Sequence, residues 1–430
     1  MVSHWSSPPL TTRTLQHQPW YQTKPGQAVA GDEVVVVGAG MAGCCAAYSL
    51  AERGLSVTLL EERDGPARET SGHRAAIVMP HPSLKPAALS SFYLYAFQLF
   101  QRRARCLEDN GLSVGRNPTG VLQWALHPRL AKIHTAFPHG FLPPEIMQAL
   151  SPVESAAHAG LSITPPALYY PDGAWIQPIR YCQAHLKHAG IKTRFGVRVG
   201  NVQHRDGLWQ VLDPEGNCIH ACKTLLLAQA MQTRNMTPCS WMPLKSARGQ
   251  LAWVDRDLVA NPPKRVICHD GYFIPGPGDE CELGATFEPG NENSQLSEAD
   301  HQLLIQRAEK AGIRFKRPPP PRGRVAFRTQ SPDHLPLAGP VPNLPAFLAD
   351  YTGIHLGDAR REYPPGSYLP GLYASVGHPS RGTISCLMAG EAIAEMITGE
   401  VSCLPAEIVK AISPARFPIR ALKRGHPFPS

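Results

Sequence analysis

The sequence has no apolar run long enough to cross a membrane uninterrupted. The longest, Val34 to Leu50, is broken by three glycines. Its first 30 residues have no apolar core, so no secretory signal is expected. The 11 cysteines form no C-x-x-C pair, and the nearest approach is Cys218-x-x-x-Cys222 with His220 between them. A metal site is therefore not expected, and scattered thiols fit a reducing compartment. Acidic residues are in mild deficit, 34 against 42 basic, and the resulting formal charge of +8 permits an anionic partner without requiring one. These absences point to a soluble, cytoplasmic protein. At 430 residues the chain can bury a large core, organised as two interleaved domains.

One stretch carries a recognisable chemistry. Val34 to Val37 form a β-branched run suited to a strand buried on both faces. Gly38, Gly40 and Gly43 follow with the spacing G-x-G-x-x-G, and Cys44 to Arg53 continues as a helix. Ser56 to Glu61 then reads as a second strand ending on a carboxylate, 18 residues beyond the last glycine. The glycines serve a tight turn, close backbone approach to a pyrophosphate and close helix–strand packing. The helix N-terminus offers free N–H groups to phosphate, and Glu61 is placed to accept ribose hydroxyls. The alternative is a Gly-rich turn in an ordinary α/β unit.

Further along, Glu69 to Arg74 is a polar loop in which Ser71 and Gly72 contact phosphate or simply lie on the surface. Leu89 to Asn110 has helical spacing of aromatics, read as core. Residues 120–157 show no clear pattern, and Leu168 to Pro178 is a turn-rich bridge into a helix over Ile179 to Ala189. Strands are expected at Phe195–Val199, Trp209–Leu212, Thr224–Ala228, Gly249–Trp253, Gly271–Pro275 and Glu282–Phe287. A helix is expected over Leu296 to Ala311, with Ser297 as its cap. Seven basic residues from Lys310 to Arg328 then occur without an acid, either as a solvated face or as a phosphate contact. Leu372–Val376, a glycine turn through His378 and Arg381, and a helix from Thr383 to Thr398 supply a second helix N-terminus.

The opening VVVVGAGMAG, the segment DGYFIPGPGDECELGATFEPG and the segment GRVAFRTQSPDHLPLAGPVP resemble the D-amino-acid oxidase superfamily of FAD enzymes. The strings QPWYQTKPGQ, TSGHRAAIVMPHPS, YYPDGAWIQP and PSRGTISCLMAGEAIAE are similar, within it, to the FAD-dependent domain of bifunctional tRNA wobble-uridine biosynthesis enzymes. The methyltransferase half of such enzymes is expected to be absent, leaving a separate methyltransferase as a possible partner. Two positions depart from related flavoproteins: Ala230 stands where glycine is frequent, and Gly276 where small-amino-acid oxidases carry arginine.

The resemblance implies an α/β fold: a two-dinucleotide-binding-domain, Rossmann-like FAD fold with an interleaved α+β substrate domain. Residues 31–88, 160–240 and 330–405 would form the FAD-binding domain, and 89–159 with 241–329 the substrate cap. Residues 1–30 would be a flexible tail, and 406–430 a basic C-terminal tail. The implied cofactor is non-covalent FAD, held by Gly38, Gly40, Met41, Ala42, Gly43, Glu61, Glu62, Ser71, Gly72, His73, Arg74, Val199, Ala228, Ser380, Arg381, Gly382 and Thr383. The implied reaction removes the carboxymethyl group from 5-carboxymethylaminomethyl(-2-thio)uridine in the anticodon of tRNA. Arg328 would clamp the substrate carboxylate with help from Tyr272, and His378 or Arg381 would place positive charge near the flavin pyrimidine edge. An alternative is a glycine- or sarcosine-type oxidase acting on a free small amine.

Overall fold

The computed structural model describes residues 18–428, except 25, 86, 138–141, 163 and 358–360. Its centre is a six-stranded sheet, ordered Leu337–Pro342, Tyr368–Val376, Thr224–Leu227, Glu33–Val37, Ser56–Glu61, Ile191–Phe195. All neighbours run parallel except the first two. Val34, Val35 and Val36 are completely buried, as a central strand covered on both faces requires. One face is covered by the glycine helix Met41–Ala51, the long helix Ala88–Asp109 and the closing helix Gly382–Thr398. Gly390 lets the closing helix approach closely, since a Cβ there would stand 2.8 Å from the backbone nitrogen of Ala46. The other face packs against a three-stranded meander, Asn201–Arg205, Leu208–Leu212 and Cys218–Cys222.

A second, nine-stranded sheet is mostly antiparallel. It runs Glu288–Pro289, Lys245–Asp255, Glu280–Gly284, Tyr272–Ile274, Val266–Cys268, Val121–Trp124, Ala167–Tyr170, Gln148–Leu150. Gly323–Gln330 is the ninth strand, pairing antiparallel with Lys245–Asp255 over the full register from Gln330 opposite Lys245 to Gly323 opposite Ala252. The helix Glu298–Lys310 covers its outer face, and Ser297 caps it by accepting from the Asp300 N–H at 3.2 Å.

Several expectations are corrected. The strand placed at Phe195–Val199 lies earlier, at Ile191–Phe195, because it pairs in parallel with Ser56–Glu61 and Gly196 leaves it with φ +72°. The bridge Leu168–Pro178 contains two strands, Ala167–Tyr170 and Ala174–Ile176, and the first belongs to the nine-stranded sheet. The long helix Ala88–Asp109 packs in the core beneath the six-stranded sheet rather than in a cap, since Phe92, Phe97 and Phe100 are buried there.

Both tails also need revision. Residues 1–17 lie outside the described part, but the stretch around Trp20 is anchored: Trp20 is buried against Phe347, Tyr351, Ala415 and Ile419. The basic C-terminal stretch is the helix Arg416–Lys423. Arg416 is only 2% exposed and forms a bidentate pair with Asp333, through Nε to Oδ2 and Nη2 to Oδ1, both at 2.9 Å. No helix among the described residues is long and apolar enough to cross a membrane, and no group of three or more His, Cys, Asp or Glu side chains there could hold a metal ion.

Candidate active site

The chain leaves the strand Glu33–Val37 at its carboxyl end through a turn that tolerates almost no side chains. Gly38 has φ +104°, and a Cβ on it would stand 2.7 Å from the Ala228 carbonyl oxygen. A Cβ on Gly43 would come within 1.8 Å of the Gly38 carbonyl, so the glycine helix rests directly on the turn. Gly40 is different, because the nearest atom to a Cβ there is Ser71 Oγ at 3.6 Å, and its outer face is open to a cavity. The Met41 N–H donates to Ser71 Oγ at 3.2 Å and that of Cys44 to the Gly40 carbonyl at 3.0 Å, while the N–H groups of Ala42 and Gly43 precede the first intrahelical acceptor and are the ones a phosphate could use. Glu61 braces the base of the turn, accepting from the N–H of Ala39 at 2.7 Å and of Arg63 at 2.9 Å. Glu62 accepts from Gln232 Nε2 at 3.1 Å.

The cavity, about 430 Å³, opens between the two sheets. It joins Gly40, Met41, Ala42, Ser71, His73 and Ala228 with Ser380, Arg381, Gly382 and Thr383 at the start of the closing helix. Tyr272, Arg328 and His378 also line it. Gly38, Gly43, Glu61, Glu62 and Val199 lie outside its wall, as do Gly72 and Arg74. Two helix N-termini therefore reach one space, which is a strong arrangement for a ligand carrying negative charge at two places.

Arg328 is the most telling side chain. It is half-buried on the strand Gly323–Gln330, and its guanidinium lies over Gly249, where a Cβ would be 3.5 Å from Cζ. It has no side-chain hydrogen bond and no ion pair among the described residues. Its fork is thus free for a carboxylate. Tyr272 lies against Gly284, and burial, then the nearby Glu282, push its phenol well above the usual range, so it stays a hydroxyl donor. His73 is held down to about 4, chiefly by burial, and its Nδ1 is 2.7 Å from the Ala75 carbonyl, so the ring is neutral.

Sequence reasoning missed Glu282. Its side chain is buried, it accepts from Trp253 Nε1 at 3.3 Å, and its Oε1 lies 3.9 Å from His73 Nδ1. Burial raises this carboxyl to about 8, which keeps it protonated at neutral pH. An acid flanked by the apolar Cys281 and Leu283, inside the strand rather than at its first position as Glu280 is, was the available signal.

Other expected roles change. His378 is half-buried, desolvation holds it down to about 3, and both ring nitrogens are engaged, by Ser375 Oγ at 3.2 Å and Ser385 Oγ at 3.0 Å. It is a neutral tie between the glycine turn and the closing helix, so it brings no positive charge to the cavity. Arg74 points away, pairing with Glu280 and lying 4.0 Å from the centroid of Trp253. Gly72 makes room for Arg324, whose guanidinium donates to the carbonyls of Gly72 at 3.1 Å and Glu69 at 2.8 Å and also reaches that of Arg68. The basic run is therefore divided. Arg322 pairs with Asp255 and Glu280, Arg324 is a bracket, Arg328 faces the cavity, and Lys310, Arg314, Lys316 and Arg317 remain exposed.

Comparison with known proteins agrees with this geometry. The sequence pattern of the FAD dependent oxidoreductase family (DAO) matches residues 33–396. The chain is 33% identical over 421 residues to the tRNA 5-methylaminomethyl-2-thiouridine biosynthesis bifunctional protein MnmC of Pseudomonas putida strain GB-1, covering 95% of this chain and 62% of that protein. The protein of the same name from Pseudomonas entomophila is 34% identical, again over 62% of its length. Similar solved structures include glycine oxidase from Geobacillus kaustophilus, with a TM-score of 0.70 at 17% identity, covering 89% of this chain and 98% of that one. Iminodiacetate oxidase from Chelativorans sp. BNC1 has a TM-score of 0.69 at 20% identity with the same coverage. The residues present fit the family's cofactor: a glycine cradle open at Gly40, two helix N-termini, and buried polar atoms without a partner at Arg381 Nε and Thr329 Oγ1 on the cavity wall. On these grounds the chain belongs to the FAD-dependent oxidoreductase (DAO) family.

Proposed function

We propose that this oxidoreductase removes the carboxymethyl group from 5-carboxymethylaminomethyl(-2-thio)uridine at the wobble position of tRNA, releasing glyoxylate and leaving 5-aminomethyl(-2-thio)uridine. The carrying observation is Arg328, a guanidinium on the cavity wall with no partner among the described residues. The substrate arm is an N-substituted glycine, so it presents a carboxylate one carbon from the bond to be oxidised.

Gly40, Met41, Ala42 and Ser71 would hold the FAD pyrophosphate, Glu61 would order the turn toward the ribose, and Gly382 and Thr383 would face the ring system. When bound, FAD supplies a two-electron acceptor. The protein's part is positioning. Arg328 grips the carboxylate with two parallel N–H donors, and the neutral Tyr272 hydroxyl adds a third. That fixes the methylene between nitrogen and carboxylate for loss of hydride. Water then adds to the imine carbon, and the C–N bond breaks to give glyoxylate and the primary amine. His73 lines the cavity as a neutral imidazole and adds no charge of either sign to it. Cys268 and Cys386 line the cavity, but burial pushes Cys268 up to about 12 and Cys386 well above its ordinary value. Neither is a thiolate at neutral pH, which supports non-covalent attachment of the cofactor.

Exposed Lys310, Arg314, Lys316 and Arg317 are the basic surface available for tRNA phosphates. A cytoplasmic location follows from that substrate, and a separate methyltransferase would be the partner that consumes the product. The chain spans 62% of the length of the curated relatives named above, so the substrate is tested directly. Anaerobic bleaching of the flavin by tRNA carrying carboxymethylaminomethyluridine, with no bleaching by glycine or sarcosine, is the expected result. Bleaching by the free amino acids alone would replace this reading with a small-amine oxidase.

A further inference from the structure

The loop from Thr70 to Ala75 crosses from the glycine turn to the nine-stranded sheet. Ser71 Oγ accepts from the Met41 N–H at 3.2 Å on the cofactor side. Thr70 Oγ1 donates to the Phe327 carbonyl at 2.7 Å, and the Gly72 carbonyl accepts from Arg324 Nη1 at 3.1 Å on the sheet side. His73 follows, with its Nδ1 3.9 Å from Glu282 Oε1. In the sheet, Glu282 stands opposite Trp253, Leu251 opposite Arg324, and Gly284 opposite Tyr272. Alternate residues of a strand share a face, so Glu282, Tyr272, Arg324 and Arg328 all belong to one face. His73 stands over that face, and it lines the cavity together with Arg328 and Tyr272.

The ring has a defined tautomer. Its Nδ1 is 2.7 Å from the Ala75 carbonyl oxygen, which can only accept, so Nδ1 carries the hydrogen and Nε2 the lone pair. The buried Glu282 carboxyl backs the same edge of the ring, which turns Nε2 the other way. Nε2 has no hydrogen-bond partner among the described residues, and the side chain is 22% exposed. Burial, then the cations Arg328 and Arg324, hold the ring down to about 4, so the lone pair persists at neutral pH. Arg324 and Arg328 can only donate, and His73 adds an acceptor beside them.

We propose that His73 Nε2 accepts the N–H of the amine being oxidised, which makes His73 a substrate contact that selects for amines with a hydrogen to give. A neutral secondary amine has one N–H and one lone pair. The lone pair must stay free, because it forms the C=N bond as the C–H bond breaks and its electron pair leaves with the hydrogen to the bound FAD. The N–H is what remains for the protein to hold. Positive charge grows on nitrogen during that step, so the hydrogen bond to Nε2 strengthens in the transition state. A tertiary amine or an ether would set two acceptors against each other. That the donor is the wobble-uridine arm rests on the function proposed above, whereas the acceptor needs only a ligand whose carboxylate sits on Arg328.

Two flat anions with no oxidisable methylene test the contact in the FAD-loaded enzyme. Pyrrole-2-carboxylate places an N–H next to the carboxylate-bearing carbon, and 2-furoate places a ring oxygen there. Titration followed by flavin absorbance should show the pyrrole binding about ten-fold tighter or more in the wild type. His73→Leu, which keeps bulk without an acceptor, and His73→Ala should bring the two ligands to equal affinity. Arg328→Gln should weaken both and keep their order, and FAD content is measured on every variant. With the modified tRNA, His73→Leu should reduce its flavin about ten-fold more slowly at saturation, with little change in tRNA affinity. Equal affinities in the wild type would overturn the contact, as would a preference for the pyrrole that survives in both His73 variants. An effect confined to preparations that have lost FAD would overturn it too. A preference lost in the His73 variants, with no flavin reduction by the modified tRNA in the wild type, would leave the contact standing while the tRNA reading falls.

Discussion

Replacing Arg416 should unfold rather than disarm the protein. A basic residue in a C-terminal stretch without acids looks like a phosphate contact, yet Arg416 is 2% exposed and makes five hydrogen bonds inside the fold. Two go to Asp333, and the others to the carbonyls of Ile412, Ser413 and Leu335 at 3.0, 3.1 and 2.9 Å. Arg416→Met removes one cation and leaves Asp333 paired with Arg420, 3.0 Å away on a side chain 43% exposed, beside the Ser331 hydroxyl at 3.2 Å. Breaking a buried pair on one side costs about 3–5 kcal/mol, and the remaining Arg420 contact places this case at the lower end, about 3 kcal/mol.

The same pair has a pH signature. Burial would raise the Asp333 carboxyl, but hydrogen bonds and charge from Arg416, then Arg420, outweigh it and hold the group at about 2 instead of 3.8. The folded value is depressed, so the stabilisation is complete above the unfolded value and is lost as pH falls toward 2. It amounts to about 2 kcal/mol. Urea unfolding at pH 7 and at pH 3 measures both effects. Arg416→Met should lower the midpoint at pH 7 and lose less than wild type on acidification. A variant with wild-type midpoint and weakened tRNA binding would refute the buried-strut account.

Four further outcomes are expected. Arg328→Ala should keep FAD but lose turnover by roughly 2–5 kcal/mol, and Arg328→Lys should recover little because it lacks the planar fork, which steady-state kinetics would show. Alanine at Lys310, Arg314, Lys316 and Arg317 together should weaken tRNA binding and flatten its dependence on salt, whereas an unchanged salt slope would remove that surface. Ala230 has φ +51°, so Ala230→Gly should raise the unfolding free energy by up to about 1 kcal/mol, and a loss of stability would show the strain is absent. Glu282 titrates near 8 in the fold against 4.5 unfolded, so its contribution is present at low pH and lost as pH rises to about 8. Glu282→Gln should remove that loss between about pH 4.5 and 8 in pH-dependent melting, and an unaltered slope there would place the titration elsewhere.

The first unit was legible because its constraints are local. Four consecutive β-branched residues, three spaced glycines and an acid at the next strand end all act within 28 residues, Val34 to Glu61. The observed strand Glu33–Val37, helix Met41–Ala51 and strand Ser56–Glu61 match that reading to within a few residues. Gly43 in the first turn moved the helix start earlier than the expected Cys44, because the close contact with Gly38 is made by helix already begun. What failed was whatever depends on a distant partner. Arg416 finds Asp333 across 83 residues, and Arg324 finds the carbonyls of 68–72 across some 250. Nothing local distinguishes such arginines from a solvated run. Residues 120–157 looked featureless because Val121–Trp124 and Gln148–Leu150 are short and take their register from Ala167–Tyr170. Ala230 was flagged as a departure from glycine, and its positive φ gives the physical reason that glycine suits the position.

The strand Gly323–Gln330 has a consequence for how this enzyme can be altered. Arg324, Ala326 and Arg328 alternate along it and all reach the cavity, while Thr70 Oγ1 donates to the Phe327 carbonyl at 2.7 Å. The arginine that ties down the loop 68–72 and the arginine that awaits a carboxylate are thus teeth on one comb. Sliding that comb by a single residue against Lys245–Asp255 would turn both outward together. Cofactor retention and substrate recognition cannot then be lost one at a time through an insertion or deletion here. Ala326 lies between the two teeth, so reshaping the pocket at that position would leave the register, and with it both arginines, in place.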